Sequence, residues 1–188
     1  MGASFSHNFP KVVAGKGAGG WEYGPVTTRT LVILRHAKAA NPEGVIDSDR
    51  PLTSRGHADA AAAGAWLAHR GYLPDLVLCS PARRTKETWH GVALALPTAP
   101  TVRYLEDLYS ASATGLLELV TTIDAGTSTA LLVGHNPGLS QLSILFDPDG
   151  ADPDGLRTAG AAVHRFDGTW VDCGPRAAAL VAAFTARA

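Results

Sequence analysis

Three short stretches of this chain gather residue types that handle a phosphoryl group: Arg35-His36, Ser80-Pro81-Ala82-Arg83-Arg84 and Gly134-His135-Asn136-Pro137. A guanidinium is a planar fork of N–H donors that matches phosphate oxygens, and a helix starting at such a place adds backbone N–H groups. A neutral imidazole nitrogen aimed at phosphorus can attack it and carry the group covalently, with no metal required. Two histidines and at least two arginines would make such a site if the fold brings the three stretches together.

The surrounding sequence has the pattern that does so. Aliphatic or β-branched runs at 30–35, 75–79, 101–105 and 129–134 read as buried strands, and Ala- and Leu-rich stretches at 54–70, 82–95 and 112–124 read as helices. Strand and helix in turn predict an α/β fold, a mostly parallel central sheet with helices on both faces. Thr53 suits the N-cap of the first helix, with Gly71 and Pro74 as its stop. A further helix is predicted over 138–146, a turn-rich loop over 147–155, short strands over 160–166 and 168–172, and a closing helix over 175–187. In an open parallel sheet, ligands bind beyond the carboxyl ends of the strands, and each of the three polar stretches stands at such an end. His36 and His135 are therefore set apart from His7, His57, His69, His90 and His164, which read as surface or internally satisfied histidines.

Residues 1–29 are unlike the rest: rich in Gly, without sustained period, and read as a flexible arm preceding a single domain over 30–188. The GKGAGG run in that arm is no Walker loop, because Gly17 follows Lys16 where Ser or Thr should stand. Met1-Gly2 through Ser6 formally fits a myristoylation pattern, a short one that arises by chance. The net charge of −1 gives no nucleic-acid-binding face, and no run is long and apolar enough to span a membrane. Cys79 and Cys173, far apart and without CxxC spacing, argue against a disulfide scaffold or zinc site and for a reducing compartment, the cytoplasm.

Arg35-His36-Ala37, Ser80-Pro81 with Arg84 and Thr88, and Gly134-His135-Asn136-Pro137 resemble, in order, the RHG, SPxxRxxxT and GHxP motifs of the histidine phosphatase superfamily, the branch shared with cofactor-dependent phosphoglycerate mutases. Arg50-Pro51-Leu52-Thr53-Ser54-Arg55-Gly56 is similar to the RPLTxxG run of its compact SixA-type protein phosphohistidine phosphatases. The resemblance implies a three-layer fold without a large lid, no cofactor, His36 as nucleophile, and a phosphate pocket of Arg35, Arg84 and His135. Alanine in place of the motif's glycine at position 37 bears on the tightness of that turn; loss of activity is not expected. Arg83, about 100° around the helix from Arg84, reads as a solvated charge, as does Lys38.

A general acid is needed for an alkoxide leaving group and much less for an imidazole. The superfamily's acid is a glutamate after the third strand, and in Leu105-Glu106-Asp107-Leu108-Tyr109 the matching residue is Glu106; Asp47, in DSDRPLT, is the second candidate. Arg50 and Asn136 join Asp47 as expected substrate contacts. The stretches 37–50 and 107–116 are short, which predicts an open site suited to a phosphorylated side chain on a protein. The expected activity is thus that of a metal-independent phosphohistidine phosphatase. The alternatives are a phosphatase of small phosphorylated metabolites, a phosphoprotein-binding module without turnover, and, third, a mutase.

Overall fold

A computed structural model describes residues 27–186. Its strands are β1 (Thr28–Arg35), β2 (Leu76–Cys79), β3 (Thr101–Tyr104), β4 (Thr129–Gly134), β5 (Ala161–Asp167) and β6 (Ala179–Phe184), in one sheet of order β3-β2-β4-β1-β5-β6. β3, β2, β4 and β1 run parallel; β5 is antiparallel to β1, and β6 to β5. The helices are α1 (Ser54–Arg70), α2 (Arg83–Ala93), α3 (Ala113–Thr121) and α4 (Gly138–Phe146).

Side-chain alternation along the central strands sorts the core into two layers. Leu31, Ile33, Leu78 and Leu132 pack with Leu116 and Val120 of α3 and with Leu139, Leu142 and Phe146 of α4. Their neighbours Val32, Leu34, Val77 and Leu131 pack on the other face with Ala63 and Leu67 of α1 and with Trp89 and Val92 of α2. β2 and the middle stretches of β1 and β4, residues 31–34 and 130–133, are apolar at every position because both of their faces are covered. This is the expected α/β architecture, three layers with a mostly parallel sheet.

The first helix begins and ends as its sequence prescribes. Thr53 Oγ1 accepts a hydrogen bond from Gly56 N–H at 3.0 Å, and Gly71 closes the helix at φ 72°. Gly56 has a second duty, since a Cβ there would stand 2.2 Å from the main-chain oxygen of Lys38. The first turn of α1 is thus packed directly on the chain leaving β1, next to Arg35 and His36.

Two expectations at the C-terminal end are corrected. Residues 168–172 are no strand: Trp170–Asp172 form a 3-10 turn, and Trp170 sinks to 1 % exposure and donates its indole N–H to Thr127 O at 2.7 Å. The closing helix over 175–187 is instead β6, an edge strand hydrogen-bonded to β5. Its alanines suit a helix, but Leu180, Ala182 and Phe184 recur at period two and turn inward, where Phe184 stacks on Trp66 with ring centroids 5.3 Å apart. Pairing and burial overrode local propensity. At the other end, β1 begins earlier than expected, with Thr28 and Arg29 opposite Asp167 and Phe166. The glycine-rich run, the myristoylation pattern and His7 lie outside the described residues.

Candidate active site

The sheet order makes β2, β4 and β1 neighbours, and their register sets Arg35 opposite Gly134 and Cys79 opposite Val133. The chain leaving each strand is tied to the next: His36 N–H donates to Gly134 O and Ser80 N–H to Val133 O, both at 3.0 Å. Thr88, the last residue of the second motif, uses its hydroxyl twice. It accepts from Ala37 N–H at 2.9 Å and donates to Arg84 O at 2.6 Å, which fixes the loop of His36 against α2. Ala37 is fully buried with its methyl among Leu52, Ala60 and Ala159, and it does not adopt positive φ, so the turn does not require glycine.

A cleft of about 420 Å3 opens over these strand ends. It is lined by Arg35, His36, Lys38, Asp47, Arg50, Arg84, Tyr109, His135 and Asn136, together with Ala39 and Thr158. Four cations face one carboxylate, a balance that favours an anionic ligand.

His36 has a fixed tautomer. Its Nδ1 lies 2.8 Å from Ala37 O, and a carbonyl can only accept, so Nδ1 carries the proton and Nε2 keeps its lone pair. Burial, aided by the Arg84, Arg35 and Arg50 charges, pushes its pKa down to about 4, so the ring is neutral at neutral pH. The His36 and His135 rings are 5.1 Å apart, centroid to centroid. Arg84 Nη2 donates to His135 Nδ1 at 3.4 Å, which leaves His135 Nε2–H to donate to Ser80 Oγ at 2.9 Å. Burial, then His36 and Arg84, lower the pKa of His135 to about 3.

Arg35 donates through Nη1 to Leu156 O at 2.9 Å, while its Nε is buried without a partner. Arg84 is 8 % exposed and gives Nη1 to Asp47 O at 2.6 Å and Nη2 to Asp47 Oδ2 at 2.9 Å. Asp47 Oδ1 accepts from Arg50 Nη1 at 3.0 Å, and Tyr109 donates its hydroxyl to Asp47 Oδ2. The Tyr109 bond first, then those from Arg50 and Arg84, hold the Asp47 carboxyl well below the usual carboxylate range.

All the expected catalytic and substrate-binding residues except Glu106, namely Arg35, His36, Asp47, Arg50, Arg84, His135 and Asn136, line one cleft. Glu106 starts the 3-10 turn Glu106–Tyr109, is exposed, and is not among the lining residues, whereas Asp47 is. Asn136 lines the cleft with its amide already engaged, donating to Leu156 O at 2.9 Å and accepting from Ser140 Oγ at 2.8 Å. The bond between Asn136 and Pro137 is cis. Arg83 points away and pairs with Glu87 at 2.7 Å. Lys38, read as a solvated charge, is exposed yet stands at the cleft.

Sequence reasoning passed over Tyr109 and the role of Ser80. Tyr109 ends the same LEDLY segment that supplied Glu106, and an aromatic with a polar tip at a strand end was the available signal. Ser80 is fully buried, and nothing in its local sequence reveals that its partner is His135. Among the described residues no group of three or more His, Cys, Asp or Glu is placed to hold a metal ion.

The fold is α/β with a cation-rich cleft over the ends of its parallel strands, and the comparisons specify the class. Residues 31–115 match the model of the histidine phosphatase superfamily, branch 1. An uncharacterized protein of Mycobacterium tuberculosis (strain H37Rv) is 40% identical over 158 residues, covering 79% of this chain and 96% of its own length. A structure from Nakamurella multipartitia, provisionally named as a phosphohistidine phosphatase SixA, aligns with TM-score 0.73 and 34% identity over 88% of this chain and all of that one (100%). Another of the same provisional name, from Agrobacterium tumefaciens, gives 0.72 and 29% over 84% of this chain and 97% of that one. The chain belongs to the histidine phosphatase superfamily.

Proposed function

We propose that the protein is a phosphatase that hydrolyses phosphohistidine on proteins through a covalent phosphohistidine at His36. Nε2 of His36 forms a bond to phosphorus as the substrate's P–N bond breaks, and the departing imidazole takes a proton from solvent. Water then attacks the phosphorus, the His36 Nε2–P bond breaks, and inorganic phosphate leaves. The Arg35 and Arg84 guanidiniums hold the equatorial oxygens in both steps, and His135, beside His36 in the same pocket, accepts from Arg84 and keeps that guanidinium in place.

One observation carries the choice of leaving group: the cleft has a single carboxylate, Asp47, and Tyr109, Arg50 and Arg84 keep it ionised. Among the described residues no other carboxyl lines the cleft to donate to an alkoxide. An imidazole, whose own pKa is about 6.5, needs no such donor. The similarity to structures provisionally named SixA supports the same substrate class. The two cysteines are free and buried, which suits a reducing compartment such as the cytoplasm, and no helix among the described residues is long and apolar enough to cross a membrane.

The test is a panel of a phosphohistidine protein, sugar phosphates and an aryl phosphate, assayed with EDTA present. The highest kcat/KM is expected on the phosphohistidine protein. A sugar phosphate in first place would turn the assignment to small metabolites, and phosphoprotein binding without turnover would turn it to a binding module.

A further inference from the structure

Of the four cations that line the phosphate cleft, three are engaged within the protein. Arg35 donates to Leu156 O, Arg84 to Asp47, and Arg50 to Asp47 and, through Nε, to Ala40 O at 2.9 Å. Lys38 is the fourth. Its side chain makes no ion pair or hydrogen bond among the described residues and is exposed at the cleft, just beyond His36 and Ala37. The backbone that carries it is nevertheless held on two sides. Lys38 O accepts from Thr53 N–H at 2.9 Å and from Thr53 Oγ1 at 3.1 Å, and Gly56, without a side chain, lets the first turn of α1 close on the same oxygen. Ala40 N–H donates to Pro51 O at 2.8 Å, and Ala39 bridges to Leu52. A point charge on a flexible stem therefore swings from a fixed root at the rim.

Charge balance gives that ammonium a ligand. A bound phosphoryl group brings about two negative charges, and together with Asp47 it offsets three of the four cations. One positive charge is left over, and among the described residues the cation without a partner is Lys38. No second carboxylate lines the cleft to take it up. The electrostatic complement of the whole cleft is thus a substrate with an acidic group besides its phosphoryl group.

We propose that Lys38 is a specificity-determining residue that receives a second anionic group of the substrate. The identity of that group rests on the reading of the cleft: in a phosphohistidine phosphatase it is the carboxylate of an Asp or Glu close to the phosphohistidine. A small phosphorylated carboxylic acid carries the same chemistry, so the experiment has an arm for each source. Phosphohistidine peptides of one sequence carry Glu, Gln or Lys immediately before or after the phosphohistidine, or one residue further out, and a carboxylated aryl phosphate is compared with its carboxamide. The enzymes are the unmutated protein, Lys38→Gln and Lys38→Glu, whose main-chain bonds to Thr53 are kept. Each ratio is taken within one enzyme, so any effect of a substitution on the phosphoryl step itself divides out.

Glu is expected to exceed Gln in kcat/KM by roughly threefold to fivefold at one of these positions, the upper scale of an ion pair in contact with water, and the ratio should fade as NaCl is raised. Lys38→Gln should bring the ratio close to one, and Lys38→Glu should turn it below one, with the Lys peptide gaining. If peptides and aryl phosphates are hydrolysed and neither series shows a charge preference that depends on Lys38, the role of Lys38 is overturned and the phosphatase reading stands. A fall in kcat by one factor on every substrate, with the ratios kept, would overturn it likewise, since Lys38 would then hold the transferred phosphoryl group. A Lys38-dependent preference confined to the aryl pair would keep the site and overturn its protein source, and failure to hydrolyse any phosphohistidine peptide would overturn the reading of the cleft itself.

Discussion

Arg84 and Asp47 are joined twice, Nη1 to the main-chain oxygen at 2.6 Å and Nη2 to Oδ2 at 2.9 Å, so the guanidinium that would hold the substrate's phosphate already holds an anion of the protein itself. A phosphoryl group must share or displace that carboxylate. Asp47→Asn should therefore strengthen competitive inhibition by inorganic phosphate. The carboxylate is half exposed, with a side-chain exposure of 53 %, so the gain should be only about two- to fivefold, the range of an exposed ion pair. Tyr109→Phe should shift it in the same direction by less. If Asp47→Asn instead cuts kcat on an aryl phosphate by about a hundredfold, Asp47 is a general acid and does not act as a competitor.

The pH profile follows from His36. With its pKa at about 4, the proposed nucleophile stays neutral through the mildly acidic range and loses its lone pair to a proton only as pH falls through that value. The acid limb of kcat/KM, corrected for ionisation of the substrate, should lie near pH 4. A limb near 6.5 would mean an exposed, unperturbed imidazole.

Stability should fall in acid for a related reason. His36 and His135 are held neutral in the fold, and so is His164, fully buried between Ser143 Oγ at 2.8 Å and Ala178 O at 3.1 Å, its pKa lowered by burial. The unfolded chain takes up these protons first, near pH 6.5, so the contribution is full above that value and drains as pH falls toward the folded pKa values. Each such group removes at most about 1.4 kcal/mol per pH unit. Urea midpoints at pH 7, 6 and 5 should decline in that order; a midpoint constant over this range would contradict buried neutral histidines.

Ser80 should matter to His135 without touching substrate. Ser80→Ala removes the acceptor of His135 Nε2–H and leaves a buried donor unpaired, an expected cost of about 1–3 kcal/mol in stability. With its ring unanchored, His135 should lose orientation, and kcat should drop roughly tenfold, a fraction of what loss of a direct oxyanion donor costs. Unchanged kcat in the folded variant would show that Ser80 does not position the imidazole.

The legibility of the fold in the sequence had a physical boundary. The central strands and the three motif loops were readable because runs buried on both faces are continuously apolar, and because polar residues at their carboxyl ends have few other reasons to be there. β6 was misread because RAAALVAAF satisfies helical and strand patterns alike, and only the open edge of β5 decides between them. Asp47 was read as a candidate acid and substrate contact and Tyr109 only quoted beside Glu106, but the contact between them spans 62 residues of sequence, and no local pattern encodes it. Position 37 shows the reverse case. A departure from the family motif raised a question about the tightness of the turn, and the structure shows a buried methyl packed on Leu52, Ala60 and Ala159 without positive φ.

The most direct measurement is rapid quenching of the enzyme with a phosphohistidine protein labelled in its phosphoryl group, followed by mapping of the label. The expected result is a transient, acid-labile and alkali-stable phosphoenzyme whose label sits on His36 and disappears in His36→Ala together with turnover. Steady phosphate release with no labelled enzyme, or label on any residue other than His36, would contradict the account.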